Sequence, residues 1–268
     1  MILENIHRLL NIVDIFKTLF SKFKNTSDYI KPVFWTFGKK YKIAAVHQYE
    51  VSDLDGSGYK PSPHPVQMTW KLEGAERAYE HFGPPFLLTT SSLYQKIRNI
   101  QLRILPDDAL LAIEVSKYDQ KVVLEALHNC IAHQDYTRNG RILVVEMLDR
   151  LIFENEGSFY EGQPNDYIAG NKTPRKYRNP FLVQAMTELN MIDTMGYGIY
   201  EMHLGQARRY FPLPDYDLSD NSSVKMTIYG SVVDPAYSRL LIQKTDLSWE
   251  DILLLDRVQK NYLYQMML

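Results

Sequence analysis

Cysteine is nearly absent from this sequence, since Cys130 is the only one among 268 residues. The chain therefore cannot close a disulfide within itself, which fits a reducing compartment and predicts a cytoplasmic protein. Long apolar runs are also lacking: no stretch approaches 18 uninterrupted apolar residues, so neither a membrane-spanning helix nor a membrane partner is expected. Charged residues interrupt every apolar stretch near the N-terminus, namely Glu4, Arg8, Asp14 and Lys17, which argues against a signal peptide.

An excess of charge of either sign is lacking too. The 30 Lys and Arg residues nearly balance the 32 Asp and Glu residues, which leaves a formal charge of −2. Any contact with DNA must therefore come from a local patch or from another domain. The chain also has no Gly-x-x-x-x-Gly-Lys-Ser/Thr motif. The nearest stretch, Gly170-Asn171-Lys172-Thr173, has the wrong spacing and no preceding strand, which excludes a P-loop helicase motor.

What the sequence does contain is a strong helix pattern, which predicts a helix over residues 119–134 with Asp119 as its N-cap. At about 100° per residue, Glu125, Asn129 and His133 fall on one stripe roughly 80° wide. Apolar residues occupy the opposite side: Val123, Leu127, Cys130 and Ile131. A carboxylate and an amide one turn apart are most often a solvated face, so this spacing alone does not predict a site.

A hairpin follows this helix. Asn139-Gly140 forms a turn dipeptide, and residues 141–148 alternate between apolar and polar. Residues 151–154 continue the hairpin across the short link Asp149-Arg150, and the second strand runs into Asn155-Glu156-Gly157. The pattern predicts a two-stranded hairpin that ends at a glycine.

The stretch 158–179 has no periodic pattern. At roughly 20 residues it is long for a compact domain, and such loops are typically lids or binding segments. It carries four cations within seven residues, which are Lys172, Arg175, Lys176 and Arg178. They form either a solvated charge run or a group that closes over phosphates.

Helix signals return after this loop. Pro180 is suited to the first position of a helix that reaches about residue 194. Gly196 and Gly198 bracket the start of the next helix, which reaches about residue 209, and Ser223–Tyr229 forms a last strand. Upstream, we predict a strand at Val66–Leu72, a short helix at Ala75–Phe82, and a helix capped by Ser91 or Ser92 that runs through Ile100.

The order of these parts resembles the ATP-binding fold of the gyrase, histidine kinase and MutL (GHKL) superfamily. A closer resemblance is to bacterial transcriptional regulators of the ATP-dependent DNA helicase RecG-related family, which carry a Schlafen-type AlbA-like domain. Four stretches carry it, in this order: EALHNCIAHQDY (125–136), GRILVVEMLDRLIFENEGSF (140–159), RNPFLVQAMTELNMIDTMGYGI (178–199) and VKMTIYG (224–230). With their spacers they cover about residues 70–235, and as an ordered set they are specific.

The resemblance implies a site for ATP and Mg²⁺. Glu125 would lie beside the phosphates and orient or deprotonate a water, as a catalytic residue. Asn129 would offer its amide oxygen to magnesium, which prefers oxygen ligands. His133 would help to shape the pocket. The hairpin end, with Asn155 and Gly157, would lie under the base and accept a hydrogen bond from its exocyclic amine.

The remaining predicted contacts are to the phosphates. Gly196 and Gly198 would present backbone N–H groups at a helix start, and Lys172 and Arg175 would close over the phosphates. The superfamily has Asp-x-Gly-x-Gly after the hairpin, whereas this chain has Asn155 in place of the Asp and Phe159 in place of the second Gly. Because an Asn still accepts a hydrogen bond, we expect nucleotide binding to be weakened rather than excluded. We therefore infer regulation by bound nucleotide in preference to hydrolysis.

These observations predict an α/β (α+β) two-layer sandwich with a mixed, largely antiparallel sheet and helices on one face. We expect three regions. Residues 1–60 hold an amphipathic helix (2–23) and a linker, a divergent or truncated upstream region. Residues 61–235 form the GHKL-like ATP-binding domain. Residues 236–268 begin an incomplete winged-helix domain, with an amphipathic helix at Thr245–Gln259.

The expected function is a nucleotide-responsive module of a bacterial transcriptional regulator, which couples ATP–Mg²⁺ binding to flanking DNA-binding domains. DNA is then a partner through domains that are largely absent from this chain. The heptad spacing of the N-terminal helix allows a homo-oligomer, and its cations Arg8, Lys17, Lys22 and Lys24 suit an anionic surface. A third interpretation is that the helix docks on its own domain. Two alternatives stay open: a structural or dimerisation module with a vestigial pocket, and a genuine ATPase.

Overall fold

A computed structural model describes residues 30–37, 43–50, 62–63, 67–83, 86–105 and 112–266. The strands of this part are β1 Ile30–Phe37, β2 Ile43–Glu50, β3 Ser62–Pro63, β4 Met68–Leu72, β5 Ala78–Phe82, β6 Gln101–Ile104, β7 Ile113–Ser116, β8 Ile142–Glu146, β9 Arg150–Glu156, β10 Asp215–Asp217 and β11 Ser223–Tyr229. The helices are α1 Phe86–Lys96, α2 Gln120–His133, α3 Pro180–Glu188, α4 Gly198–Ala207, α5 Pro235–Gln243 and α6 Trp249–Met266. The predicted helix at 2–23 lies outside the described residues.

The central feature is a six-stranded sheet with the order β10-β11-β9-β8-β4-β5. All neighbouring strands are antiparallel except β4 and β8, which pair in parallel with Met68 opposite Ile142. A three-stranded sheet β1-β2-β3 and a two-stranded sheet β6-β7 complete the described strands. The predicted α+β sandwich with a mixed, largely antiparallel sheet is confirmed.

Helix α2 packs its apolar side into the core formed with this sheet. Its start is fixed by Asp119, whose carboxylate accepts hydrogen bonds from the backbone N–H groups of Lys121 (2.8 Å) and Val122 (3.1 Å). Leu127 is fully buried, as are Leu151 and Phe153 on β9. Burial alternates along β9, so the inward row that begins with Leu151 and Phe153 continues to Asn155 at the end of the strand. A polar side chain is thereby delivered to the core edge.

Two local predictions were wrong. Residues 78–82 form strand β5 instead of a helix, because they pair along β4, with Ala78 opposite Leu72. Tertiary pairing outweighs the helix preference of an Ala- and Glu-containing stretch. Ser91 and Ser92 lie inside α1 and do not cap it, since the buried side chains of Phe86 and Leu87 extend the helix further upstream.

Other differences concern ends and missed elements. Helix α3 ends at Glu188, before the predicted residue 194, and Asn190 adopts a left-handed backbone with φ of 54°. Strand β10 and helix α5 have no sequence prediction. The predicted domain boundaries, including the winged-helix start, stay predictions. No helix within the described ranges is both long and apolar enough to cross a membrane.

Candidate functional site

A cavity opens between α2, the end of β9, the 158–179 loop and the start of α4. Its space amounts to about 890 Å³ when the open mouth is included, within the size range of pockets that take small organic ligands. Polar residues of its lining include Glu125, Asn129, His133, Asn155 and Lys176. Six of the site residues predicted from the sequence line it: Glu125, Asn129, His133, Asn155, Gly196 and Gly198.

The predicted polar stripe of α2 faces this cavity instead of bulk water. Because Glu125 and Asn129 lie one turn apart on a rigid helix, their side chains meet, and Asn129 Nδ2 donates to Glu125 Oε1 at 3.1 Å. That bond uses the amide nitrogen of Asn129 and leaves its carbonyl oxygen as the acceptor. The stripe thus presents a carboxylate and an amide oxygen, both of which suit a hard cation.

The carboxyl group of Glu125 has an unusual proton affinity. Burial in the cavity wall raises its pKa to about 7. The hydrogen bond from Asn129 lowers the pKa and partly opposes burial, while the negative charge of Asp193 raises it further. Near neutral pH this group therefore exchanges a proton readily, as a general base or acid must.

His133 forms an uncharged part of the wall. Burial lowers its pKa to about 4, and the positive charge of Arg178 acts in the same direction. Its ring stacks on that of Tyr177, with centroids 6.2 Å apart. Because the imidazole is neutral at physiological pH, it shapes the cavity and supplies no positive charge for a phosphate.

Asn155 supplies an acceptor at the other side of the cavity. The alternation of β9 turns it inward, and only 4% of its surface is exposed. Its Nδ2 donates to the backbone oxygen of Glu156 at 3.1 Å, which leaves the carboxamide oxygen as the acceptor. The position therefore accepts a hydrogen bond, as an Asp would, but without the charge.

Gly157 has a backbone role and does not line the cavity. Its φ is +98°, and a Cβ there would lie 2.9 Å from Cζ of Arg178. Its N–H donates to the oxygen of Ser222 at 2.7 Å, which ties the end of β9 to the turn before β11.

Gly196 and Gly198 mark the place where three elements converge. Gly196 has a φ of +87°, and a Cβ there would lie 2.5 Å from the backbone oxygen of Lys172. A Cβ on Gly198 would overlap with Oε1 of Glu125. Only glycine lets the 158–179 loop and α2 approach the first turn of α4 this closely.

Lys172 and Arg175 lie outside the cavity lining, which differs from the expectation that they close over phosphates. Lys172 Nζ pairs with Asp166 Oδ2 at 2.7 Å and lies 4.8 Å from the centre of the Tyr167 ring. Arg175 is exposed, and its backbone N–H donates to Glu161 Oε2 at 2.8 Å. Asp166 of the same loop pairs with the Lys172 cation, and Glu161 holds the backbone at Arg175, an arrangement that the charge run alone does not reveal.

The loop cation that lines the cavity is Lys176. Its backbone N–H donates to the same oxygen of Glu161, at 2.8 Å. This carboxylate thus fixes two successive N–H groups of the loop and places Lys176 at the cavity. The charge run signalled the residue, but only the loop conformation selects it from its neighbours.

Aromatic walls are the part of the site that sequence reasoning missed. Phe159 packs against Tyr167 and edge-on against Tyr216, with ring centroids 6.1 and 6.3 Å apart. All three line the cavity, together with Tyr160 and Tyr177. The abundance of tyrosine in the 158–179 loop was the available signal. Such walls favour a flat, aromatic ligand group.

No cluster of three His, Cys, Asp or Glu side chains that could hold a metal occurs in the part of the chain that the structure describes. This excludes a protein-only cage there but not a magnesium ion that takes most of its ligands from water and substrate phosphates. The oxygen atoms of Asn129 and Glu125 fit such a partial ligand set.

Comparisons with known proteins bear on this geometry. Residues 132–228 match the family model HATPase_c_4, described as "Putative ATP-dependent DNA helicase recG C-terminal". No curated protein matches the sequence. Among solved structures, the chain is similar to the DIP2311 protein from Corynebacterium diphtheriae, with 16% identity and a TM-score of 0.54 over 79% of this chain.

That alignment covers 51% of the DIP2311 chain, so this chain spans about half the length of that protein. What the two share at this level of identity is the fold. The family model covers Asn155, Gly196 and Gly198 but begins after Glu125 and Asn129. The match supports the RecG-related family that the sequence predicts, with an HATPase-type domain in residues 132–228.

Proposed function

We propose that this chain is a nucleotide-binding regulatory module that takes ATP with magnesium in the cavity described above. The observation that carries the proposal is the meeting of four separate parts around one cavity. These parts are the Glu125–Asn129 stripe, the end of β9 at Asn155, the glycines that open α4, and the aromatic walls of the 158–179 loop. The fold brings together residues that lie up to 73 positions apart in the sequence, from Glu125 to Gly198. The family match supports a nucleotide as the ligand class.

The base end of the ligand fits the aromatic side of the cavity. The acceptor oxygen of Asn155 suits the exocyclic amine of adenine, and Phe159 and Tyr216 offer ring surfaces against which a purine packs. Because Asn155 is neutral, its bond to the amine is weaker than that of a carboxylate. We therefore expect affinity in the range of cellular ATP concentrations instead of tight binding.

The phosphate end fits the start of α4. Free backbone N–H groups and the helix dipole favour negative charge there. Lys176 supplies a side-chain cation, while Glu125 and Asp193 supply negative charge that a triphosphate alone would meet. Magnesium, when bound, neutralises this repulsion, and the amide oxygen of Asn129 would hold it.

Regulation follows more directly from this site than turnover does. Glu125, with its pKa near 7, can take a proton from a water. The cavity has one lysine and no arginine among its lining residues, so little positive charge is aimed at a transition state. Hydrolysis, where it occurs, is slow, and the bound state itself is the signal that the module passes to DNA-binding domains of a bacterial transcriptional regulator.

Thermal unfolding with nucleotide tests the proposal. In wild type, millimolar ATP with Mg²⁺ raises Tm, since ligand that binds only the native state stabilises it. Asn129→Ala removes this shift, whereas Asn221→Ala, at an exposed position outside the cavity, retains it. No shift in wild type would favour the structural or dimerisation module with a vestigial pocket. Phosphate release that disappears in Glu125→Gln would instead favour an ATPase.

A further inference from the structure

Helix α6 begins with Trp249, a residue outside the cavity lining that contacts two elements of the cavity wall, the 158–179 loop and α4. The indole Nε1–H of Trp249 donates to the backbone oxygen of Ile168 in the 158–179 loop, at 3.2 Å. The same ring meets Tyr200 of α4 edge-on, with centroids 5.6 Å apart and planes at 75°. One residue thus connects the loop, α4 and the C-terminal helix.

Both partners of Trp249 lie next to residues of the ligand cavity. Ile168 follows Tyr167, which lines the cavity and is held by a hydrogen bond from its hydroxyl to the oxygen of Glu161, at 3.0 Å. Tyr200 lies in the first turn of α4, two residues after Gly198. A ligand that displaces Tyr167 or the start of α4 therefore displaces an atom that Trp249 contacts.

The loop and α4 also pack directly on each other at this point. Gly170 has a φ of +69°, and a Cβ there would lie 3.1 Å from Cγ of Tyr200. The loop backbone consequently rests on the Tyr200 ring, whose edge-on partner is Trp249. Because the loop backbone already lies in close contact with the Tyr200 ring, movement of the loop toward α4 would press on that ring and alter its contact with Trp249.

A second anchor holds α6 farther along, and it rests on different structure. Asp256 is buried, and its Oδ1 accepts the N–H of Leu213 at 2.9 Å. Lys260 Nζ donates to the oxygen of Leu213 at 2.9 Å and pairs with Asp215 Oδ1 at 2.6 Å. These partners belong to β10 and to the segment that leads into it, so this anchor holds α6 to the edge strand of the six-stranded sheet.

The two anchors differ in strength. The first is one hydrogen bond to a loop carbonyl and one ring contact, whereas the second is a charge-assisted network around the buried carboxylate of Asp256. A shift of the loop therefore releases the first turns of α6 while Asp256 and Lys260 keep the middle of the helix in place. Helix α6 is thus held more firmly near residue 256 than at its first residue.

We propose that Trp249 transmits ligand binding in the cavity to α6, whose first turns move about the Asp256–Lys260 anchor. This inference rests on the proposed function, because it needs a ligand that acts on the 158–179 loop and α4. A ligand shifts the equilibrium between the held and the released first turns of α6 only by the difference in its affinity for these two states. Because the contacts of Trp249 connect the cavity walls to α6, they set the size of that difference. Trp249 does not line the cavity and is a coupling residue with no catalytic part.

Hydrogen exchange on the full chain, with and without ATP–Mg²⁺, tests this coupling. Equilibrium dialysis with labelled ATP records binding in the same samples. We expect ATP–Mg²⁺ to change exchange at residues 249–255 by on the order of 5-fold or more, with less change around residue 260. In Trp249→Ala, ATP still binds, but the response of residues 249–255 is lost.

Two further variants keep the test informative if Trp249→Ala frays the helix. Trp249→Phe retains the ring and loses the N–H donor, so its response is smaller than that of wild type. Tyr200→Leu removes the other contact and also reduces it. The inference is overturned if ATP binds wild type without a response in α6, or if Trp249→Ala responds as wild type does. If dialysis detects no ATP binding to wild type, the proposed function fails and this inference falls with it.

Discussion

Two glutamates of this protein, one fully buried and one half-buried, have opposite surroundings. Glu146, at the end of β8, is fully buried and has three donors. Trp70 Nε1 donates to its Oε2 at 2.9 Å, and the backbone N–H and Nε of Arg98 donate to its Oε1 at 3.2 and 3.0 Å. Glu125, in the cavity wall, has a single donor among the described residues, Asn129, and a negatively charged neighbour, Asp193.

The difference separates a structural carboxylate from one that is available for chemistry. The hydrogen bonds and the cationic partner of Glu146 offset the free-energy penalty of its desolvation. They also join β8 to β4 and to the residues after α1. Glu125 is half-buried and lacks such partners, so desolvation raises its pKa to about 7 and disfavours its charged form near neutral pH. A cation or a hydrogen-bond donor brought by a ligand would stabilise the charged form of Glu125, and this stabilisation would add to the affinity for the ligand.

The largest expected effect comes from removing the satisfied carboxylate. Glu146→Leu leaves the Trp70 N–H without an acceptor in the core and separates Arg98 from its partner. We expect a loss of about 3 kcal/mol in the free energy of unfolding, because a buried donor is left unsatisfied and the charge-assisted hydrogen bonds from the half-exposed Arg98 are lost. Urea denaturation at neutral pH measures it.

A matched exposed glutamate controls this prediction. Glu114 also pairs with an arginine, Arg103, at 2.7 Å, but its side chain is 56% exposed. Glu114→Leu should change stability by less than about 1 kcal/mol. Equal losses in the two variants would contradict the structural role of Glu146.

The second prediction concerns the unsatisfied carboxylate and has the opposite sign. The folded-state pKa of Glu125, about 7, lies above its ordinary value of 4.5, so the folded state binds the proton more tightly. Its contribution to stability is complete below pH 4.5 and is lost as pH rises through 7. Glu125→Gln avoids this loss, so it should exceed wild type by up to about 3 kcal/mol at pH 8 and match it at pH 4.5.

Denaturation curves of both proteins at the two pH values measure this difference. Glu114→Gln, at the exposed position, should follow wild type throughout. A gain for Glu125→Gln that is the same at pH 4.5 and 8 would show that volume or hydrogen bonding, and not charge, sets the stability of this site.

The sequence reveals one of these glutamates and conceals the other, for a physical reason. Glu125 stands in a local helix pattern with Asp119 as its cap, and local signals of this kind also located Pro180 and the strand Ser223–Tyr229. Glu146 acquires its partners from residues 76 and 48 positions away, so no window of sequence contains the interaction. Strand β5 was missed for the same reason, since its conformation is imposed by β4.

The candidate site divides along the same line. The stripe, the hairpin end and the glycine pair follow from periodicity, alternation and the family resemblance, which fix them before the fold is known. The aromatic walls and the choice of Lys176 over Lys172 depend on how the 158–179 loop folds on itself. Nothing local in the charge run specifies that Asp166 takes up Lys172.

A third prediction uses the close approach of Glu125 to α4. A Cβ at Gly198 would overlap with Oε1 of Glu125, so Gly198→Ala should cost about 1–2 kcal/mol, because the carboxyl end of Glu125 must turn away and lose its bond from Asn129. The same change in a Glu125→Ala background removes the clash and leaves the helix preference for Ala, which stabilises by up to about 1 kcal/mol. This reversal of sign, measured in a double-mutant cycle, is the expected result.

Gly83→Ala serves as the control for this cycle, because a Cβ there would meet nothing within 4 Å. It should have the same small effect in both backgrounds, since it is independent of Glu125. A constant cost of Gly198→Ala in both backgrounds would mean that the first turn of α4 tolerates no side chain for reasons other than Glu125.

The smallest expected effect isolates the one donor that Glu125 has. The bond from Asn129 lowers the pKa of Glu125, so Asn129→Ala should raise that pKa further and penalise the charged form alone. Above the folded-state pKa the variant then loses about 1 kcal/mol of stability relative to wild type, whereas at pH 4.5, where the carboxyl is protonated in both proteins, the difference shrinks.

Unfolding free energies at pH 4.5 and 8 measure this pH-dependent difference, with Asn221→Ala as the exposed control. Because the cost grows only when the carboxylate is charged, a loss independent of pH would mean that Asn129 supports α2 by packing, and the contrast between the two glutamates would then depend on burial alone.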